Sequence, residues 1–111
     1  MSKGLQNQEV LVTGLGPIST FGMGIDPLWS ALIEGRTGIA PLSSFDASNF
    51  DCGWGAALAP EDFNVRDCVP KAHRKATKVM ARDIELAVGA SAIAVADAGL
   101  VTRGTSVDET P

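Results

Sequence analysis

Residues 9–16 read Glu-Val-Leu-Val-Thr-Gly-Leu-Gly. The apolar run Val10-Leu11-Val12, extended by β-branched Thr13, is continuous rather than alternating, and Gly14 stops it. A strand that is apolar on both faces needs cover on both, which is the pattern of a buried strand in a layered α/β sheet. Only one other segment, around Trp54–Leu58, reads as a short strand. A run like Val10–Val12 therefore lacks the sheet neighbours it requires within the 111 residues. The length reads as a truncation, and the isolated chain is expected to fold marginally or not at all. A cooperative melt as a monomer would contradict that expectation.

The remaining elements follow from local signals. Gly14 and Gly16 make a tight turn ahead of Pro17, letting the strand exit beneath a neighbouring segment. Residues 17–25 form a structured loop. Asp26 and Pro27 read as the N-cap and first residue of a helix. Leu28, Trp29, Leu32 and Ile33 repeat at helical spacing, and Gly35 ends the helix. Gly38–Pro41 is a short extended link. Residues 43–69 are punctuated by Asp, Asn, Gly and Pro, with Phe45, Phe50, Trp54 and Phe63 as expected buried anchors. So long an irregular stretch suggests cover from outside it. From Pro70 to Gly99 the spacing predicts one long helix. Its inward face is Met80, Ile84, Ala87, Val88, Ser91, Val95 and Ala98. Gly89 suits a close packing partner, and the tail 101–111 is polar.

Several function classes fall away. A chain that is 45% hydrophobic and 20% charged is not of disordered composition. No apolar run is long enough to span a bilayer, and the first nine residues hold no signal-peptide core, so a cytoplasmic location without membrane attachment is expected. Cys52 and Cys68 with the single His73 make neither a disulfide framework nor a zinc set. They read as reduced, partly buried thiols, so no metal is expected. A net charge of −4 disfavours nucleic acid. Against that acidic background Lys71, Arg74, Lys75, Lys78 and Arg82 fall at helical offsets, as one basic stripe. Such a stripe is either a solvated face or a docking surface for an anionic partner.

The strand followed by Gly14-Leu15-Gly16 invites a dinucleotide-binding reading. That fingerprint needs a third glycine three residues on, opening a helix. Ser19 holds that place, and no helix opens before about residue 27. A nucleotide-binding α/β protein remains a minor alternative, and no cofactor is expected.

Together these segments resemble a known family. Val10-Leu11-Val12-Thr13-Gly14-Leu15-Gly16-Pro17-Ile18-Ser19 is similar to the opening of β-ketoacyl-acyl-carrier-protein synthases, ketosynthase II-like members of the thiolase superfamily. Gly24 and Trp29 match the following loop and helix. Leu32-Ile33-Glu34-Gly35-Arg36-Thr37-Gly38-Ile39, Phe45-Asp46-Ala47-Ser48 and Asp62-Phe63-Asn64 resemble the family's next segments in order. Lys71, Arg74 and Lys75 match its Lys-x-x-Arg-Lys helix start, and Ala96-Asp97-Ala98-Gly99-Leu100 its Asp-Ala-Gly-Leu helix end. The likeness covers about residues 9–101. Ala76-Thr77 departs from the family's usual Met-Asp.

The resemblance implies the N-terminal part of a thiolase-like αβαβα layered fold, incomplete in this chain, with residues 1–111 as an N-terminal segment of the synthase N-terminal domain. It implies a condensing enzyme that joins an acyl thioester to malonyl-carrier protein, in fatty-acid or polyketide synthesis. Its partners are an acyl carrier protein and a second synthase subunit, as homodimer or ketosynthase heterodimer. No catalytic residue carries over. Cys52 and Cys68 lie outside anything like the family's Thr-Ala-Cys-Ser elbow, and His73 matches neither histidine motif, so this chain alone is expected to be inert. Lys71, Arg74 and Lys75 carry over as carrier-protein docking residues. A non-catalytic homologue of the chain-length-factor kind is the alternative.

Overall fold

Two helices organise residues 9–102, the part of the chain that the computed structural model describes. The tail from residue 103 onward lies outside the described residues. The first regular element is a small antiparallel hairpin, β1 (Ile18–Ser19) and β2 (Gly22–Met23), with Ile18 opposite Met23. Gly22 adopts φ +116° to close it. Helix α1 spans Ile25–Ile33. Strand β3 (Ala40–Pro41) then pairs antiparallel with β4 (Trp54–Gly55). Three-residue 3-10 turns follow at Pro60–Asp62, Val65–Asp67 and Lys71–His73, and a fourth turn at Ala76–Val79. Helix α2, Arg82–Asp97, closes the order.

Both helices end in the same way. After α1, Gly35 sits at φ +64°, its N–H donates to the Leu32 carbonyl, and Arg36 N–H donates to the Ala31 carbonyl at 2.9 Å. After α2, Gly99 sits at φ +66°, bonding the Ala96 carbonyl, while Leu100 N–H reaches Val95 at 3.1 Å. These are paired glycine caps that satisfy the last carbonyls of each helix, as the two glycines lead one to expect. The start of α1 differs from expectation. Gly24 is the N-cap, without a side-chain cap, and Asp26 lies inside the first turn. There its charge favours the helix through the dipole rather than by capping.

The core is small. Among the described residues only Ala31, Phe63, Val65, Thr77 and Gly89 are buried. Its centre is the place where α2 meets the segment leading into β1. Gly14 lies against the backbone of Ala94 and Ala98, and Gly16 against that of Ala90 and Ala94, so closely that a Cβ on either glycine would overlap the helix. Gly89, one turn earlier, faces the Phe63 ring and Ile18. The packed face of α2 is therefore Gly89, Ala90, Ala94 and Ala98. Of the expected inward face, Ile84, Ala87 and Ser91 are exposed and border an open groove of about 450 Å³. Small residues win because backbone-to-backbone approach needs the absence of side chain, which hydrophobic spacing does not register.

Three further expectations change. Val10, Leu11 and Val12 are 89%, 77% and 79% exposed and take no strand partner. The ladders present are two residues long and neither reaches them, so an apolar run has nothing to pair with. Of the four aromatic anchors only Phe63 is buried, while Phe45, Phe50 and Trp54 are at least half exposed. Phe45 and Phe50 meet edge to face with centroids 5.8 Å apart. The helix expected from residue 70 starts at Arg82 instead. Met80 and Ala81 are extended, with ψ of 137° and 159°. Lys71 with Lys75, and Arg74 with Lys78, would be like-charged neighbours four apart on an α-helix. The chain forms two separate 3-10 turns there instead.

Candidate docking surface

The basic segment 71–78 sits on the core through Thr77, which is 6% exposed. Its hydroxyl donates to the Arg74 carbonyl at 2.8 Å, so the buried polar group is satisfied. The turn at Val65–Asp67 lies against α2, and Arg74 ties the basic segment to it. Arg74 Nε donates to the Arg66 carbonyl at 3.1 Å. Asn64 caps that turn in its own right, its side-chain oxygen accepting the Arg66 N–H at 3.0 Å.

The structure divides the expected stripe. Lys71, Lys75 and Lys78 are exposed and Arg74 is half-buried. Arg82 is exposed but engaged within the fold. Its guanidinium lies 5.1 Å from the centre of the Phe63 ring, and Nη1 donates to Glu85 Oε2 at 3.0 Å and to the Phe63 carbonyl at 3.4 Å. A cation so engaged supports the fold and is a poor contact for a partner. The break at Met80–Ala81 causes the division, because it rotates Arg82 away from the register of the preceding cations.

Neither thiol has the surroundings of a nucleophile. Cys52 is exposed rather than partly buried as expected, because it lies in an open loop, and its Sγ donates to the Trp54 carbonyl at 3.6 Å. Cys68 is half-buried, and burial first, then the Asp67 carboxylate, push its thiol above the ordinary value. That disfavours thiolate, the reactive form. His73 is exposed and hydrogen-bonds to neither. Among the described residues no three His, Cys, Asp or Glu side chains are grouped to hold a metal ion. No described helix is long and apolar enough to cross a membrane.

The glycine turn is committed elsewhere. Leu15 N–H donates to Asp97 Oδ2 at 2.8 Å. A pyrophosphate would need free amides facing a helix N-terminus, whereas this segment lies on the C-terminal half of α2. Beside it, Leu15, Pro17, Ile25, Leu28, Trp29 and Leu32 border an apolar groove of about 460 Å³ with no titratable group. Asp97, read from the sequence only within the Asp-Ala-Gly-Leu helix end, owes this contact to a backbone amide 82 residues earlier in the chain, which no local spacing registers.

The architecture is that of a portion of the thiolase-like α/β fold. A solved structure described as the ishigamide ketosynthase/chain length factor superposes with a TM-score of 0.64 at 31% identity, over 82% of this chain and 21% of that one. The chain belongs to the β-ketoacyl synthase family: the model of the beta-ketoacyl synthase N-terminal domain matches residues 7–110. The 3-oxoacyl-[acyl-carrier-protein] synthase 2 of Synechocystis is 40% identical over 95% of this chain and 24% of that protein. Its Vibrio harveyi counterpart is 32% identical over 86% and 22%. The actinorhodin polyketide putative beta-ketoacyl synthase 2 of Streptomyces coelicolor is 36% identical over 56% of this chain and 15% of that protein. The chain thus spans at most about a quarter of the relatives it matches.

Proposed function

We propose that the protein carrying this chain is a condensing enzyme of fatty-acid or polyketide synthesis, with this chain as the N-terminal segment of its first domain. The family match over residues 7–110 carries the reading. In that reaction a cysteine thiolate takes the acyl group from a carrier thioester and releases the carrier thiol. Malonyl-carrier loses carbon dioxide to give an enolate. The enolate attacks the acyl-enzyme, forming the 3-oxoacyl-carrier and freeing the thiolate. Two histidines stabilise the developing charge. Cys52, Cys68 and His73 take none of these roles, so the chain by itself is inert. Its part in function is docking: Lys71, Arg74 and Lys75 meet the acidic acyl carrier protein, steering encounter and fixing orientation.

The test supplies the intact protein with acyl- and malonyl-carrier protein and measures carbon dioxide release and the 3-oxoacyl product. Turnover by the intact protein and none by residues 1–111 is the expected result. Absence of condensation in the intact protein would overturn the reading. A second reading, a non-catalytic subunit of the chain-length-factor kind, draws support from the ketosynthase/chain length factor neighbour. It is favoured if the intact sequence lacks the elbow cysteine and the protein restores activity to a paired synthase.

A further inference from the structure

The hydrogen bond between Arg74 and Arg66 has a consequence for which cations face a partner. Arg66 lies outside the spacing of the basic stripe and eight residues before Arg74. It is exposed and makes no ion pair among the described residues. The bond from Arg74 Nε reaches its carbonyl at 3.1 Å. Standard backbone dimensions then put the Arg66 Cα within about 5.5 Å of that nitrogen. The bond holds the Arg66 backbone beside Arg74 and leaves the exposed Arg66 side chain unengaged by it, and residues 66–78 carry five cations against one acid, Asp67. In a chain of net charge −4 this is a concentrated positive region.

We propose that Arg66 is a docking residue for the acidic carrier protein, and that Arg74 positions it. This rests on the docking role proposed above and alters its membership: Arg66 enters, while Arg82, spent on Phe63 and Glu85, does not. Arginine is required at residue 74 because its planar head spends Nε–H on the Arg66 carbonyl and keeps its terminal nitrogens for the partner. Lysine carries its three donors on a single nitrogen, so an ammonium drawn to the Arg66 carbonyl leaves no separate, fixed head facing the partner. The bond accepts at the Arg66 backbone, so replacing the Arg66 side chain leaves the tether intact.

The experiment measures binding of acyl carrier protein to the intact synthase over a salt series, for Arg66→Ala, Arg66→Lys, Arg74→Lys and the double variant Arg66→Ala/Arg74→Lys. Lys71→Glu/Lys75→Glu is the reference for docking itself. Arg66→Ala should weaken binding about two- to fivefold at low salt, the range of a partly exposed charge pair, with a shallower salt dependence. Arg66→Lys should recover most of the loss. In the Arg74→Lys background Arg66→Ala should add less, because the bond that sets the Arg66 turn against the basic segment is gone even though its Asn64 cap remains. Unchanged affinity and salt dependence in Arg66→Ala, with the Lys71/Lys75 variant impaired, would overturn the inference and leave the docking role standing. No loss in the Lys71/Lys75 variant would overturn both. Equal losses from Arg66→Ala in the two backgrounds would overturn the positioning role of Arg74.

Discussion

The segment around Gly14–Gly16 and the run just before it, Val10–Val12, are neighbours in the chain and opposites in the structure. The apolar run is exposed and unpaired, whereas the glycines are pressed against the backbone of α2. Hydrophobicity ranks the two the wrong way round. What decides is whether a partner surface exists at the distance the residues demand. Glycine can use a helix made of alanine, because two backbones can then approach closely. A valine–leucine–valine run needs a sheet, and the described residues offer only two-residue ladders. The contrast also joins two family motifs. The Gly-Leu-Gly turn and the Asp-Ala-Gly-Leu helix end stand at opposite ends of the chain, yet Leu15 N–H bonds Asp97 and Gly14 lies against Ala98. They are one junction.

The largest effect that can break this contrast comes from Phe63. Its ring is 2% exposed, faces Gly89 and carries the Arg82 guanidinium above it. Phe63→Ala should cost about 3–5 kcal/mol, or all of the protection of the α2 amides if that is smaller. Hydrogen exchange of residues 86–98 reads it directly. Retained protection would mean that the Gly14–Gly16 junction holds α2 without its floor.

Next in size is Gly16→Ala. The added methyl would overlap the backbone at Ala90 and Ala94, where no side chain can swing aside. Overpacking of this kind should cost about 2–3 kcal/mol by the same exchange measurement, or all of the α2 protection if that is smaller. Gly53→Ala is the control, since its Cβ would meet only the Ala47 Cβ at 3.8 Å, an ordinary contact. It should stay within about 0.5 kcal/mol. Equal effects at the two glycines would remove the distinction between close approach and simple helix or loop propensity.

Much of this was legible in the sequence, and the failures have two causes, backbone contacts and like charges. The ends of α1 and α2 were readable from Gly35 and Gly99, because a cap is a local device. The strand at Trp54 was readable in place, though it is shorter than expected. The basic residues Lys71, Arg74 and Lys75 were readable by type and order. Arg66 was not, because its link to Arg74 runs through a backbone carbonyl that no spacing rule registers. The inward face of α2 departs from the spacing for the related reason that Ile84 outweighs Gly89 and Ala90 on any hydrophobic scale, yet is exposed. The single helix over 70–99 failed because its first third is a row of cations that an α-helix would stack on one side.

Leu11→Ser tests the exposed half of the contrast with a smaller expected effect. At 77% exposure the side chain has little burial to lose. The substitution should leave exchange protection of α2 in the 111-residue chain within about 0.5 kcal/mol of the parent. In the intact synthase proposed above, where a two-faced apolar strand finds its neighbours, the same change should cost about 1.5–3 kcal/mol. A loss in the short chain as large as that from Gly16→Ala would show the two segments to be one packed unit.

The smallest effect is a titration that sharpens the contrast from the loop side. Asp46 Oδ1 accepts the Ser48 N–H at 3.0 Å. That bond first, and then the Ser48 hydroxyl, hold its carboxyl below the ordinary carboxylate value. The sign follows from the charged form being the bonded one. The turn gains its stabilisation above the ordinary aspartate value of about 3.9 and loses it as the pH falls through the lowered one. Following the Ser48 amide by NMR across that range should show its shift move with the Asp46 carboxyl, while the Gly14 and Gly16 amides stay still. In Asp46→Asn the Ser48 shift should lose its dependence on pH. Movement of the glycine amides with the same midpoint would mean that the loop and the α2 junction are coupled, and the packed region would then extend well beyond Phe63.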